Sequence, residues 1–150
     1  MTGTTISGVI LSSVTLSNAA TQNPATVASN GTILAPTVGL LGESGTAWTV
    51  TNYGVVQGGS VASSAAAAIG IALYGGGVLT NQTQATIGGY LGVFVANAAG
   101  TVTNAGTIIG ESTTGLGVAL LAGGSVTNQA LGRITGLDGV FANDSAAVVP

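Results

Sequence analysis

The chain has 150 residues, enough for one domain, and only five charged side chains, Glu43, Glu111, Arg133, Asp138 and Asp144, for a net charge of −3. That balance leaves no basic footprint for nucleic acid and no polybasic patch for anionic lipid, and the absence of Cys removes disulfides and thiolate metal sites. A hydrophobic fraction of 46% excludes simple disorder, while 26 glycines without a G-X-Y period exclude collagen.

The N-terminus, Met1-Thr-Gly-Thr-Thr-Ile, lacks the basic region and apolar core of a standard secretory signal. Residues 1–25 read as an irregular first coil in which Ile6, Val9, Ile10 and Leu11 form an apolar, β-prone edge resembling the later half of a repeat. Clear repeats run from 26 to 142. A short phrase recurs as Thr49-Val50-Thr51-Asn52, Val78-Leu79-Thr80-Asn81, Thr101-Val102-Thr103-Asn104 and Ser125-Val126-Thr127-Asn128, with a looser copy over Thr26-Val27-Ala28-Ser29-Asn30. Its asparagines are separated by 22, 29, 23 and 24 residues, a period found in solenoids.

Each phrase is followed by an aliphatic position, Ile33, Val56, Ile87, Ile108 or Ile134, and then by a second phrase: Gly70-Ile71-Ala72-Leu73, Gly92-Val93-Phe94-Val95, Gly117-Val118-Ala119-Leu120 and Gly139-Val140-Phe141-Ala142. Two-residue alternation within these pieces points one side chain inward and the next outward. Glycine pairs and triplets punctuate the corners. The step from phrase valine to aliphatic is 6 residues from Val27, Val50 and Val102 but 8 from Leu79 and Val126, which places longer corners at Gln82–Gln84 and Gln129–Gly132.

These features specify an all-β fold, a right-handed parallel β-helix of about six coils of roughly 22–25 residues with three short strands per coil. Stacked at about 4.8 Å, six coils make a single rod-like domain on the order of 30 Å long. The apolar run Ala65–Tyr74 is about ten residues, well short of the roughly 20 of a transmembrane helix, so no transmembrane segment is expected. Residues 143–150 begin a further coil, with Val148 and Val149 as a second apolar edge. Counting from Val148 through Pro150 and Met1 to Ile6 gives eight steps, equal to the Val126–Ile134 step, so the ends are expected to stack flush in head-to-tail copies.

Asn30, Asn52, Asn81, Asn104 and Asn128 occupy one place per coil and are expected to stack as an amide ladder with a structural role, since Asn amides pair with one another and with turn backbone. Glycosylation motifs at Asn30 and Asn81 fall on that ladder, which leaves Asn143 as the one acceptor worth testing. Catalysis finds no support: no His, Cys or Lys exists, Glu43 and Glu111 lie nearly three coils apart, and Arg133, Asp138 and Asp144 read as an ion-pair group. No cofactor, metal or nucleotide motif is present. The few aromatics, among them Trp48, Tyr74, Phe94 and Phe141, read as packing residues.

The V-T-N-x-G-x-I phrase, as in Val102-Thr-Asn-Ala-Gly-Thr-Ile108, followed by G-V-x-L/F and G-G, resembles the β-strand repeats of bacterial autotransporter passengers and related surface adhesins over residues 26–142. The resemblance implies a secreted β-helix at the bacterial cell surface. The sequence departs from it in having neither a signal nor barrel strands. The expectation is a non-enzymatic extracellular structural protein that self-assembles by axial stacking into a filament or biofilm-type matrix. The alternatives are an adhesin segment that binds a host surface or glycan and, remotely, a polysaccharide lyase or hydrolase.

Overall fold

The computed structural model describes residues 2–59, 68–110 and 114–143, which form a parallel β-solenoid of six stacked rungs. Among the described residues sixteen strands build three faces, with six strands on each because β1 and β3 each serve two. In the first rung β1 (Thr4–Ile10) serves the first and second faces and β2 (Val14–Leu16) the third; in the second rung β3 (Ala25–Ala35) and β4 (Val38–Gly42) do the same. The remaining rungs use three strands each: β5 (Trp48–Asn52), β6 (Val55–Gly58) and β7 (Ile69–Leu73); β8 (Gly77–Asn81), β9 (Thr86–Gly89) and β10 (Leu91–Val95); β11 (Gly100–Asn104), β12 (Thr107–Gly110) and β13 (Leu116–Leu120); β14 (Gly124–Asn128), β15 (Arg133–Thr135) and β16 (Asp138–Ala142). A single helical turn, α1 (Ala19–Gln22), leads from the first rung to the second, its N-terminus capped by the Asn18 side chain. No described helix is long and apolar enough to cross a membrane.

Two-residue alternation produces the core. Val50, Leu79, Val102 and Val126 stack in register on the first face, all fully buried. Ile33, Val56, Ile87 and Ile108 do so on the second, with Ile10 before them and Ile134 after. Leu40, Ile71, Val93 and Val118 form the third column. β-branched side chains with one stiff χ1 suit such stacking, and each contributes about 1.5–3 kcal/mol by leaving water.

One exchange of volume breaks the uniformity. Leu73 and Leu120 fill an inward position of the third face, and Gly77 and Gly124 begin the strand that follows each. At the junction of the second and third rungs the order is reversed, with Gly42 at the leucine position and Trp48 at the glycine position. A Cβ on Gly42 would lie 2.5 Å from Trp48 Cδ1, so the indole fills the space that leucine occupies elsewhere. Trp48 is fully buried, and its Nε1 donates to the Glu43 carbonyl at 2.8 Å.

The first two rungs correct the expected register. Ala25, not Val27, pairs with Val50, and Val27 pairs with Asn52. Ile6 pairs with Val27 in turn, while Ile10 pairs with Ile33. Residues 4–16 thus supply strands to all three faces instead of an irregular coil, with one register shift between Ile6 and Gly8. Placing Ile6 in the phrase column also removes the eight-step count that made the ends flush, because that count needed Ile6 in the Ile33 column. Val148 and Val149 lie outside the described residues.

With the register corrected, the step across the first corner alternates strictly. It is six residues from Thr4 to Ile10, eight from Ala25 to Ile33, six from Val50 to Val56, eight from Leu79 to Ile87, six from Val102 to Ile108 and eight from Val126 to Ile134. Two of the three long corners fall where expected, and the third, between Ala25 and Ile33, replaces an expected six-residue step: the Ala85 N–H donates to the Gln82 carbonyl at 3.0 Å with Gln84 in the left-handed region, and the Gly132 N–H donates to the Gln129 carbonyl at 2.8 Å.

Candidate functional site: the corner column

The corner between the first and second faces gathers the recurrent polar residues. Asn52, Asn81 and Asn104 end β5, β8 and β11, pair in register and are fully buried; Asn128 follows them, half-buried, at the end of β14. The side-chain nitrogen of Asn52 donates to the Asn81 oxygen at 2.9 Å, Asn81 donates to Asn104 at 2.8 Å, and Asn104 donates to Asn128 at 2.8 Å. Every amide therefore points the same way along the rod.

Each nitrogen also binds backbone. Asn104 donates to the carbonyl of Gly106 in its own corner at 3.1 Å and to that of Arg133 in the next rung at 3.2 Å. Asn81 reaches Ala85 and Thr107 in the same manner, and Asn52 reaches Gly54 and Thr86. Two N–H bonds meet three acceptors, so one is shared. The chain starts at Asn52, whose oxygen accepts from the Gly54 N–H at 3.1 Å, and at Asn128 the nitrogen donates to the Gly132 carbonyl at 2.9 Å. Among the described residues no buried side-chain nitrogen or oxygen lacks a partner.

Corner glycines make this approach possible. A Cβ on Gly106 would lie 2.3 Å from the Ala85 carbonyl and 2.4 Å from that of Gln82, and one on Gly54 would lie 2.1 Å from the Gly31 carbonyl. The tight corners, Tyr53-Gly54 and Ala105-Gly106, need glycine because the adjacent rung's backbone fills that space.

Asn30 does not belong to the column. It is exposed within β3, in the wide corner before Gly31, and Val27 holds the place in register with Asn52. The two extra residues of that corner, set beside a Thr-Val pair that imitates Thr49-Val50, displaced the sequence frame by two. Its exposure also removes the argument that burial protects Asn30 from glycosylation. Of the expected edge residues, Ile6 is buried beneath Val27, Ile10 is half-buried in the isoleucine column, and Val9 and Leu11 are about 70% exposed.

The charged residues do not converge. Glu43 follows β4 in the second rung, whereas Arg133 and Asp138 lie on β15 and β16 in the sixth, with no ion pair between them. Glu111 and Asp144 lie outside the described residues. No group of three potential metal ligands exists among the described residues.

A second surface feature was not anticipated. A cleft of about 290 Å³ opens on the third face at its corner with the first, lined by Leu41, Glu43, Ser44, Tyr74 and Asn97. Asn97, in the left-handed region, donates through its side-chain nitrogen to the Tyr74 carbonyl at 3.0 Å, and the Tyr74 ring meets Phe94 edge-on at 5.7 Å. Phe94 and Phe141 face outward, opposite to the inward valines beside them, and Phe94 stacks between Ala72 and Ala119 of the neighbouring rungs. No protein-family model matches the chain, and comparison with curated proteins and with solved structures finds no match.

Proposed function

We infer that this β-solenoid is a non-enzymatic, extracellular structural element of a bacterial surface or matrix that lengthens by end-to-end stacking of copies. The observation that carries the reading is the strict alternation of tight and wide corners over six rungs. The wide rung of β14–β16, the last described, offers the tight rung of β1 and β2 in another copy the same neighbour that every internal tight rung has. The outer edge of β1, which among the described residues pairs only with β3, supplies N–H and C=O groups for that joint. The amide column does not continue through it, because Ile6 and Val27 hold its place in the first two rungs. Such a contact is heterologous and does not close, so it propagates as a filament.

Electron microscopy of the purified chain tests this. Filaments with an axial subunit repeat of about 29 Å, six rungs at about 4.8 Å, are expected; isolated short rods at all concentrations would overturn the reading.

A second reading, an adhesin segment that binds glycan, is favoured by the Tyr74 cleft, where an aromatic ring and a carboxylate flank one open surface. Binding of immobilised chain to a carbohydrate array, lost in Tyr74→Ala, would support it.

A further inference from the structure

We propose that the first face of the solenoid is an ice-binding surface, its ligand the ordered lattice of frozen water. The face carries one uninterrupted outward column with a threonine in every rung: Thr5, Thr26, Thr51, Thr80, Thr103 and Thr127, each paired in register with the next. Two residues earlier on the same strands a second outward column runs through Thr49, Val78, Thr101 and Ser125. Strands repeat at about 4.7–4.9 Å, and residues two apart on a strand are separated by about 6.6 Å. The two columns thus form a two-dimensional grid four rungs deep, with the threonine column alone extending over two more.

The chemistry suits a water lattice better than a solute. A threonine presents a hydroxyl and a methyl group side by side, and its branched Cβ limits χ1, so both keep fixed places in the grid. Thr49, Thr101 and Thr127 are exposed, while Thr51, Thr80 and Thr103 are half-buried between neighbours of their own column. No hydrogen bond within the protein engages the hydroxyls of these six threonines. None of the strand segments on this face contains a charged residue that would hold its own disordered hydration shell. Val78 and Ser125 each retain one of the two threonine groups, a methyl or a hydroxyl.

Rigidity comes from behind the grid. The inward neighbours Val50, Leu79, Val102 and Val126 are fully buried, and the same four strands end in the hydrogen-bonded asparagines. β-strand preference for threonine does not by itself account for the pattern, because the other faces share the fold and lack it. The corresponding outward column of the second face runs Val9, Thr32, Val55, Thr86, Thr107, Arg133, and that of the third runs Thr15, Leu41, Ala72, Phe94, Ala119, Phe141.

The test is to grow a single ice crystal in a solution of the purified chain, measuring crystal habit, the gap between melting and freezing points, and recrystallisation of polycrystalline ice. The folded chain should facet the crystal, open a gap and arrest recrystallisation. Thr80→Tyr combined with Thr103→Tyr should abolish all three, and the single change Thr103→Lys should reduce the gap by at least half. Thr86→Tyr with Thr107→Tyr, on the second face, should leave them unchanged, with circular dichroism melting used to compare folded variants only. Round crystals and normal recrystallisation with the folded wild type would overturn the proposal. So would equal losses from first-face and second-face variants, or a first face that drives pairing of two copies in sedimentation without any effect on ice.

Discussion

The first two rungs and the last four turn the same corner with different side chains. In the first pair the column at the corner is Ile6 and Val27; in the others it is Asn52, Asn81, Asn104 and Asn128. In the first pair one strand, β1 or β3, runs through the corner, whereas each later rung breaks into two strands there. In the four asparagine rungs the N–H that follows the column residue donates to the carbonyl one rung back, Tyr53 to Val27, Gln82 to Asn52, Ala105 to Asn81 and Gln129 to Asn104, all within 2.8–2.9 Å, so the Val27 carbonyl accepts as the asparagine carbonyls do. The corner path therefore does not require asparagine. The amides are an added linkage that ties rung to rung, laid over a coil that the first two rungs close with aliphatic residues.

The largest effect that would break this comparison is expected at Asn104. Asn104→Leu removes a donor to Asn128, Gly106 and Arg133 together with the acceptor for Asn81, and leaves buried groups unpaired at a cost of about 3 kcal/mol. Urea denaturation followed by circular dichroism measures it. Asn52→Val at the start of the amide chain also breaks four hydrogen bonds but should cost less, because the new side chain extends the aliphatic column of Ile6 and Val27. Equal losses at the two positions would mean that the amides are not an addition but part of the coil itself.

Next comes the tight corner. Gly106→Ala drives a Cβ against two carbonyls and should cost about 2 kcal/mol in the same assay. The wide corner already carries Ala85 at the corresponding position, buried, so Ala85→Gly should leave the corner closed. Deep in the isoleucine column, Ile108→Val should cost about 1 kcal/mol, the loss of one buried methyl group. The smallest change expected is Val27→Asn, within about 1 kcal/mol, because a new amide there adjoins the Asn52 oxygen and exchanges apolar burial for a hydrogen bond.

Most of the fold is legible in the sequence because three columns of Val, Leu and Ile recur with the strand period of two. The columns through Val56, Ile87 and Ile108 and through Ile71, Val93 and Val118 are paired as the phrases align them. The first two rungs were less legible. The asparagine served as the phase marker, and where aliphatic residues replace it the nearest asparagine, Asn30, lies in a wide corner and shifts the frame. Corner length held the missing signal, since only Ala25 as the partner of Val50 makes six and eight alternate throughout. Leu40, the partner of Ile71, went unnoticed because Gly39-Leu40-Leu41 carries leucine where the later copies carry isoleucine or valine. The outward threonines were hidden in plain view. A sequence phrase shows that Thr80 recurs, but the in-register sheet is needed to set it beside Thr51 and Thr103.

Trp48 stands at the seam between the two kinds of rung, immediately before Asn52 begins the amide chain, and it is the only tryptophan in the protein. A stack whose units touch only their neighbours can melt in sections. The indole is therefore a built-in optical gauge of that seam: its fluorescence follows the opening of one interface, while circular dichroism averages over the whole rod. A fluorescence transition that precedes the loss of strand signal would mark the aliphatic end as the section that peels away first.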